Sequence, residues 1–178
     1  VASIAVGVFA IGVIAGTYVL VPQDLNTSYS AINPANIRLT IDPFDRDFVE
    51  AVRRMDGVAA AEGRRDVTVR VQIGPHEWNK LTLTAIPDYP DSQIDCLLPR
   101  EGAPAPGDYE AILEINTLAS LDLAVGDFVD VELSDGTRRR MRIAGAAQQQ
   151  TDPYGIILGD LYGYVTYNTL EWLHEPPY

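Results

Sequence analysis

The chain has 178 residues and a formal net charge of -12 at pH 7, and its length accommodates one compact domain or two small ones. Nucleic-acid binding requires a concentrated basic face, whereas the basic clusters here are the short groups Arg53-Arg54, Arg64-Arg65 and Arg138–Arg140. We interpret these clusters as solvated faces and exclude nucleic acid as a partner. The single cysteine, Cys96, excludes an intrachain disulfide and has no Cys or His neighbour at metal-ligand spacing.

The first residues, Val1–Val21, contain no charged residue and no proline. As a helix they would be about 31 Å long, enough to cross a hydrocarbon core of about 30 Å. We therefore predict a transmembrane helix over residues 1–21. Within it, Gly12 and Gly16 form a G-x-x-x-G pair, which predicts a smooth face for packing against a second helix.

Two other interpretations of this segment are a secretory signal peptide and a buried helix of a soluble protein. A signal peptide has a basic n-region and a small-residue cleavage site, and neither pattern is seen around Val1–Val21. A stretch of this length without one charge also disfavours a soluble helix. Asp24 follows the segment and no basic cluster lies there, so the positive-inside rule predicts that the remainder is extracytoplasmic.

The next part of the soluble region predicts a strand followed by a helix. Ile37–Ile41 alternates apolar and polar residues, as a strand does. Asp42-Pro43 then offers an N-cap and a proline at the first helical position, and Gly57 can end the helix. The apolar residues at helical spacing are Phe44, Phe48, Val52 and Met55. Residues 58–61 predict a further short strand.

A β-hairpin and a connection are predicted next. Alternating valines over residues 67–73 and alternating apolar residues over 81–85 predict the two strands of the hairpin. Residues 87–108 are rich in Pro, Gly and Asp, which predicts a connection between elements.

The stretch Asn116–Gly145 is the most regular in the chain. After a short apolar strand over 111–115, it predicts a short helix, a Gly126-Asp127 turn, and two strands joined at Asp135-Gly136. A strand over 164–167 follows, and then a helix for which we predict an N-cap at Asn168.

The sequence predicts no catalytic, cofactor-binding or metal-binding residue. His76 and His174 are the only histidines, and neither has a metal-binding partner at close spacing. The acidic pairs Asp88 with Asp91 and Asp127 with Asp130 lack an EF-hand pattern, and we interpret them as solvated turns. Asp127 is predicted to bind backbone groups of its own turn. We interpret the stretch 116–145 as a structural module without chemistry of its own.

This order of elements resembles the extracytoplasmic core domain of MacB-type, FtsX-like ABC transporter permeases. The resemblance rests on the apolar first span and on the phrases "VRRMDGVAAAEG", "EAILEINTLASLDLAVGDFVDVEL" and "YGYVTYNTLEWL". A leucine-rich helix followed by a Gly-Asp turn also occurs in small β-barrels, including double-psi barrels. The sequence shown departs from the family in lacking a second porter half, later spans and an ATPase region.

The resemblance implies an α+β fold of two small subdomains after the transmembrane helix. Residues 22–86 would form the first part of a porter-like subdomain of βαβ type. Residues 87–160 would form an inserted β-rich subdomain, and residues 161–178 would return to the first subdomain as a strand and a helix.

The resemblance also implies a non-catalytic permease subunit of the cell membrane, without a cofactor. ATP hydrolysis would occur in a separate cytoplasmic ABC ATPase subunit, and the extracytoplasmic domain would relay the resulting motion for export or substrate release. The implied partners are that ATPase, a second permease subunit in a homo- or heterodimer, and membrane lipid.

The alternative is a single-span, membrane-anchored binding or adaptor domain without an ATPase. Further apolar spans in the parent gene would favour the permease, and their absence would favour the adaptor. A secreted hydrolase would require clustered catalytic groups, and the sequence shows no such group.

Overall fold

A computed structural model describes residues 32–42, 44–148 and 159–174. The predicted span over residues 1–21, with Gly12 and Gly16, lies outside these ranges, so both remain predictions. No helix within the described ranges is long and apolar enough to cross a membrane.

Two antiparallel hairpins supply four of the seven strands. The first joins β1 (Arg65–Gly74) to β2 (Glu77–Ile86), because the alternating valines and leucines bury one face of each strand. The second joins β5 (Phe128–Glu132) to β6 (Arg138–Gln148). Its turn requires Gly136, whose φ is 81°, a conformation that glycine adopts without strain.

Two strand-helix units supply the other long strands. Strand β4 (Glu110–Glu114) leads directly into helix α2 (Ile115–Ser120), and β7 (Leu161–Thr166) leads into α3 (Tyr167–Trp172). The last residue of each strand is the N-cap of its helix: the Glu114 carboxylate accepts from the Thr117 N–H at 3.1 Å, and the Thr166 hydroxyl accepts from the Thr169 N–H at 3.1 Å. The predicted N-cap at Asn168 is therefore wrong, because Thr166 already satisfies the first helical N–H groups.

Six strands close into a barrel, in the order β1-β2-β7-β4-β6-β5, with β5 paired back to β1. The pairings β2–β7 and β4–β6 are parallel, and the others are antiparallel. The inward side chains form one continuous apolar core. Members that are completely buried are Val71, Leu81, Leu83, Ala85, Ala111, Leu113, Val131, Met141, Ile143, Val165 and Leu170.

The strand pairings of the barrel are two-fold symmetric, because exchanging β1-β2-β4-α2 with β5-β6-β7-α3 leaves the pattern of neighbours and directions unchanged. Where β4 and β7 meet, Ile112 pairs with Tyr164, and these two residues occupy equivalent positions of the two halves. The sequence carries the same repeat: "GDYEAILEINTLASL" (107–121) and "GDLYGYVTYNTLEWL" (159–173) share Gly-Asp and Asn-Thr-Leu. Both helices end at a residue of positive φ, Asp122 at 52° and His174 at 59°.

A seventh strand, β3 (Leu98–Gly102), pairs antiparallel with the second half of β6. The sequence analysis missed it and assigned residues 87–108 to a connection. Close approach of the two backbones depends on glycine: a Cβ on Gly145 would lie 2.5 Å from Ala103 O and 2.8 Å from Glu101 O.

The N-terminal part of the described chain differs most from the predictions. Residues 37–41 form no strand, because no described strand is in position to complete their hydrogen bonds; Ile37 and Leu39 are 77% and 74% exposed. Helix α1 (Arg46–Arg53) begins after Asp45, not Asp42, because the Asp45 carboxylate accepts from the Phe48 N–H at 3.0 Å. Residues 58–61 are not a strand either.

The α+β class with a mixed sheet is confirmed. One sheet contains strands from all three predicted segments, 22–86, 87–160 and 161–178. The subdomain boundaries at these positions stay predictions.

We expect Gly145→Ala to destabilise the chain by about 2 kcal/mol or more, since backbone atoms of β3 cannot move aside without breaking its pairing with β6. Gly74→Ala is the matched control, because its Cβ would meet nothing closer than 3.5 Å, and its stability should change by less than about 1 kcal/mol. Urea unfolding in mild detergent, followed by tryptophan fluorescence, measures both. Equal midpoints for the two variants would contradict the packing of β3 on β6.

Candidate functional site: the attachment of the N-terminal segment

Residues 32–38, which lie between the predicted span and the barrel, are held by the loop 91–96. The Cys96 N–H donates to Ile32 O at 2.8 Å, and the Asp95 N–H donates to Asn33 O at 3.0 Å. Ile32 itself is buried. The first described residues therefore share backbone hydrogen bonds with a loop far along the chain.

Asp95 adds side-chain contacts to this attachment. Its carboxylate accepts from the Ala35 N–H at 3.1 Å and from the exposed Arg38 guanidinium at 2.9 Å. The Asn33 amide donates to Gln93 O at 2.5 Å. Only the Arg38 side chain of this ion pair is exposed, and the Asp95 side chain is 9% exposed, so Asp95 holds the segment through both a backbone N–H and a guanidinium.

Glu62 and Arg64 fix the same loop to the entrance of β1. The Glu62 carboxylate accepts from the N–H groups of Gln93 and Ile94 and from the Ser92 hydroxyl. The Arg64 guanidinium donates to Glu62, to the Ser92 hydroxyl, and to the backbone oxygens of Ile94 and Asp95. Only 11% of the Glu62 side chain and 21% of the Arg64 side chain are exposed, so water competes poorly for these charge-assisted bonds.

Tyr89 ties the start of the loop to the barrel wall. Its phenol donates to Val165 O of β7 at 2.9 Å. Tyr89 and Leu97 pack on an outward apolar cluster made of Ile86, Ile112, Ala147 and Tyr164. Burial raises the pKa of the Tyr89 phenol far above its usual value, so the group stays protonated and keeps its donor role in the folded protein.

These contacts form one connected link, which we call the attachment site: residues 32–38, Glu62, Arg64, Tyr89 and the loop 91–96. The carboxylates of Glu62 and Asp95 and the guanidiniums of Arg38 and Arg64 all bind groups of the chain itself. The attachment site therefore connects residues 32–38 to the entrance of β1 and to the β4–β7 side of the barrel.

Of the residues considered from the sequence as candidates for chemistry, Asp91 and Cys96 lie in the loop of the attachment site, whereas Asp127, Asp130 and His174 are not members of it. Asp127 accepts from the Ala124 N–H at 2.9 Å, which confirms that it binds its own turn. Asp130 lies 3.9 Å from Arg140, and His174 lies 3.1 Å from the Arg139 guanidinium. Cys96 donates from its thiol to Ser92 O. Within the ranges that the structure describes, no three His, Cys, Asp or Glu side chains gather as metal ligands.

The sequence analysis missed the members of the attachment site. Arg64 was interpreted as part of a solvated face, and this is wrong because its guanidinium is mostly buried against Glu62 and the loop. No periodic pattern joins Glu62 to Ser92 or Asp95. The one available signal was the pair Glu62 and Arg64 immediately before the first strand.

No protein-family model matches the sequence, and no curated protein sequence matches it. Among solved structures, the extracellular domain of the noncanonic ABC-type transporter YknZ from Gram-positive bacteria is similar, with a TM-score of 0.50 and 16% sequence identity over 79% of this chain and 73% of that chain. The periplasmic region of MacB from Actinobacillus actinomycetemcomitans has a TM-score of 0.48 and 11% identity over 78% of this chain and 64% of that chain. The expected likeness to the extracytoplasmic domains of such transporters is confirmed at the level of the fold.

We predict that Glu62→Ala loosens the attachment site and leaves the barrel intact. Removal of the carboxylate leaves partly buried donors of residues 92–94 without a partner, at a cost of about 1–3 kcal/mol. Hydrogen exchange followed by mass spectrometry should show the amides of Ala35 and of residues 93–96 exchanging about tenfold faster, with β2, β6 and β7 unchanged.

Glu50→Ala is the matched control for this variant, because Glu50 forms an exposed pair with Arg53 on α1 and touches neither the loop nor the barrel entrance. Unchanged exchange at Ala35, Asp95 and Cys96 in Glu62→Ala would show that Glu62 does not hold the attachment.

Proposed function

We propose that this chain is the first span and extracytoplasmic domain of an ABC transporter permease subunit, and that it relays ATP-driven motion for export or substrate release. The observation that carries the proposal is the attachment site, since it connects the residues after the predicted span to the barrel wall through charge-assisted and backbone hydrogen bonds. The fold likeness to the YknZ extracellular domain supports the same proposal.

The proposed relay works through rigid bodies. When the ATPase moves the first span, residues 32–38 would carry that displacement to the loop 91–96. Glu62 and Arg64 would pass it to the entrance of β1, and Tyr89 would pass it to β7. Because the six strands form a closed sheet without a free edge between them, the barrel would move as one body.

The proposal places the soluble part outside the cytoplasm and the whole protein in the cell membrane. Its partners would be a cytoplasmic ABC ATPase, a second permease subunit and membrane lipid, with Gly12 and Gly16 as candidate positions for helix packing in the span. The domain itself would be non-catalytic and would need no cofactor.

Purification of the full-length parent protein from its own membranes in mild detergent tests this function. We expect a P-loop ATPase subunit to co-purify in fixed stoichiometry and the complex to hydrolyse ATP. A parent protein with a single span, no co-purifying ATPase and no ATP hydrolysis would contradict the permease and would support the anchored adaptor domain.

A further inference from the structure

The outer face of β2, β1, β5 and β6 carries a row of charged side chains across four neighbouring strands. Lys80 pairs in register with Arg70, Arg70 with Glu132, and Glu132 with Arg138. These residues, together with Trp78, Phe128, Asp130 and Arg140, form what we call the arginine-aromatic face.

Aromatic rings and carboxylates hold the arginines of this face in place. The guanidinium carbons of Arg70 and Arg138 lie 5.4 Å and 4.9 Å from the centre of the Trp78 ring, and both guanidiniums contact the Glu132 carboxylate, at 2.5 Å and 3.1 Å. Arg140 lies 4.9 Å from the Phe128 ring centre. Stacking and pairing reduce the side-chain entropy that an arginine loses on binding, because the planar group is already oriented.

The face has an excess of positive charge on an acidic protein. Four cations, Arg70, Lys80, Arg138 and Arg140, accompany two carboxylates, Asp130 and Glu132. Arg138 and Arg140 are 65% and 67% exposed. Within the described ranges, no carboxylate lies within ion-pair distance of the Lys80 ammonium, while the chain as a whole carries -12.

This face lies opposite the β4–β7 side of the barrel, on which Tyr89 of the attachment site packs. In the strand ring, the β1–β5 pairing is diametrically across from the β4–β7 pairing, and Tyr89 and Leu97 pack on the β4–β7 side. The described segments that cover the barrel wall therefore leave the arginine-aromatic face open, and Phe128 at its edge is 48% exposed.

We propose that the arginine-aromatic face binds an acidic segment of a partner protein, in which carboxylates flank an apolar side chain. Exposed guanidiniums bind carboxylates in a bidentate manner, and Trp78 and Phe128 offer an apolar centre of the kind enriched at protein interfaces. A peptide can place its carboxylates beside the arginines and away from Asp130 and Glu132, whereas a uniformly anionic membrane surface would also meet these two carboxylates and Asp135 at the hairpin tip. This inference does not depend on the proposed permease function.

The test uses the whole chain in neutral detergent and a fluorescent peptide of alternating Glu and Asp with a central Phe. We expect binding that weakens as salt rises and at least a tenfold higher Kd for the double reversal Arg138→Glu with Arg140→Glu. The matched control, Arg54→Glu with Arg100→Glu, makes the same change in net charge on exposed residues away from the face, and its Kd should stay within twofold of the unchanged chain.

Two further measurements keep the test decisive. The milder pair Arg138→Gln with Arg140→Gln, with thermal melting checked against the unchanged chain, should raise the Kd without loss of fold. The same peptide with Gln and Asn in place of its acids should not bind. Equal losses in the reversal and the control would overturn the proposal, as would vesicles of equimolar phosphatidylserine and phosphatidylcholine binding through this face when the peptide does not.

Discussion

The fold depends on the two parallel pairings, β2 with β7 and β4 with β6, because each joins a strand of one half of the barrel to a strand of the other. Neither half can close its own sheet. Each helix also binds the other half of the barrel. The Thr117 hydroxyl of α2 accepts from the Tyr162 N–H of β7 at 2.8 Å, and the Thr169 hydroxyl of α3 accepts from the Tyr109 N–H before β4 at 3.0 Å. The two halves therefore fold and move together, and a displacement applied to either reaches the whole barrel.

The proposed relay requires this interlocking. A flexible barrel would absorb a displacement at residues 32–38, whereas a closed one transmits it. The link itself combines backbone hydrogen bonds at Ile32 and Asn33 with the partly buried charges of Glu62 and Arg64. Such charge-assisted bonds contribute about 1.5–3 kcal/mol each, compared with about 0–1 kcal/mol for a pair with both partners exposed, such as Glu50 with Arg53. Glu62 and Arg64 therefore contribute more than an exposed pair would to holding residues 32–38 on the barrel.

The sequence predicted those strands whose alternation coincides with burial on one side, such as 67–73 and 81–85. The same pattern at residues 37–41 gave a wrong prediction. Alternation shows that a segment is compatible with a strand, but a strand forms only where a second strand is available to pair with it. Strand β3 was missed because its Pro99 and charged residues resemble a loop, and its position depends on Gly145 of a distant strand. The attachment site joins residues about thirty positions apart, a relation without local periodicity. The repeat of Gly-Asp and Asn-Thr-Leu is visible in the sequence, but only the symmetric strand pairing shows that it marks the two equivalent strand-helix units.

The central claim is that residues 32–38 and the barrel move as one body. Spin labels at Asn36→Cys and Asp135→Cys, in the parent protein with Cys96→Ser, report the distance between the attached segment and a hairpin tip by double electron-electron resonance. The account predicts one narrow distance distribution that is the same with and without ATP, and a broad distribution after Glu62→Ala. A distance that shifts with ATP, or one that is unaffected by Glu62→Ala, would contradict it.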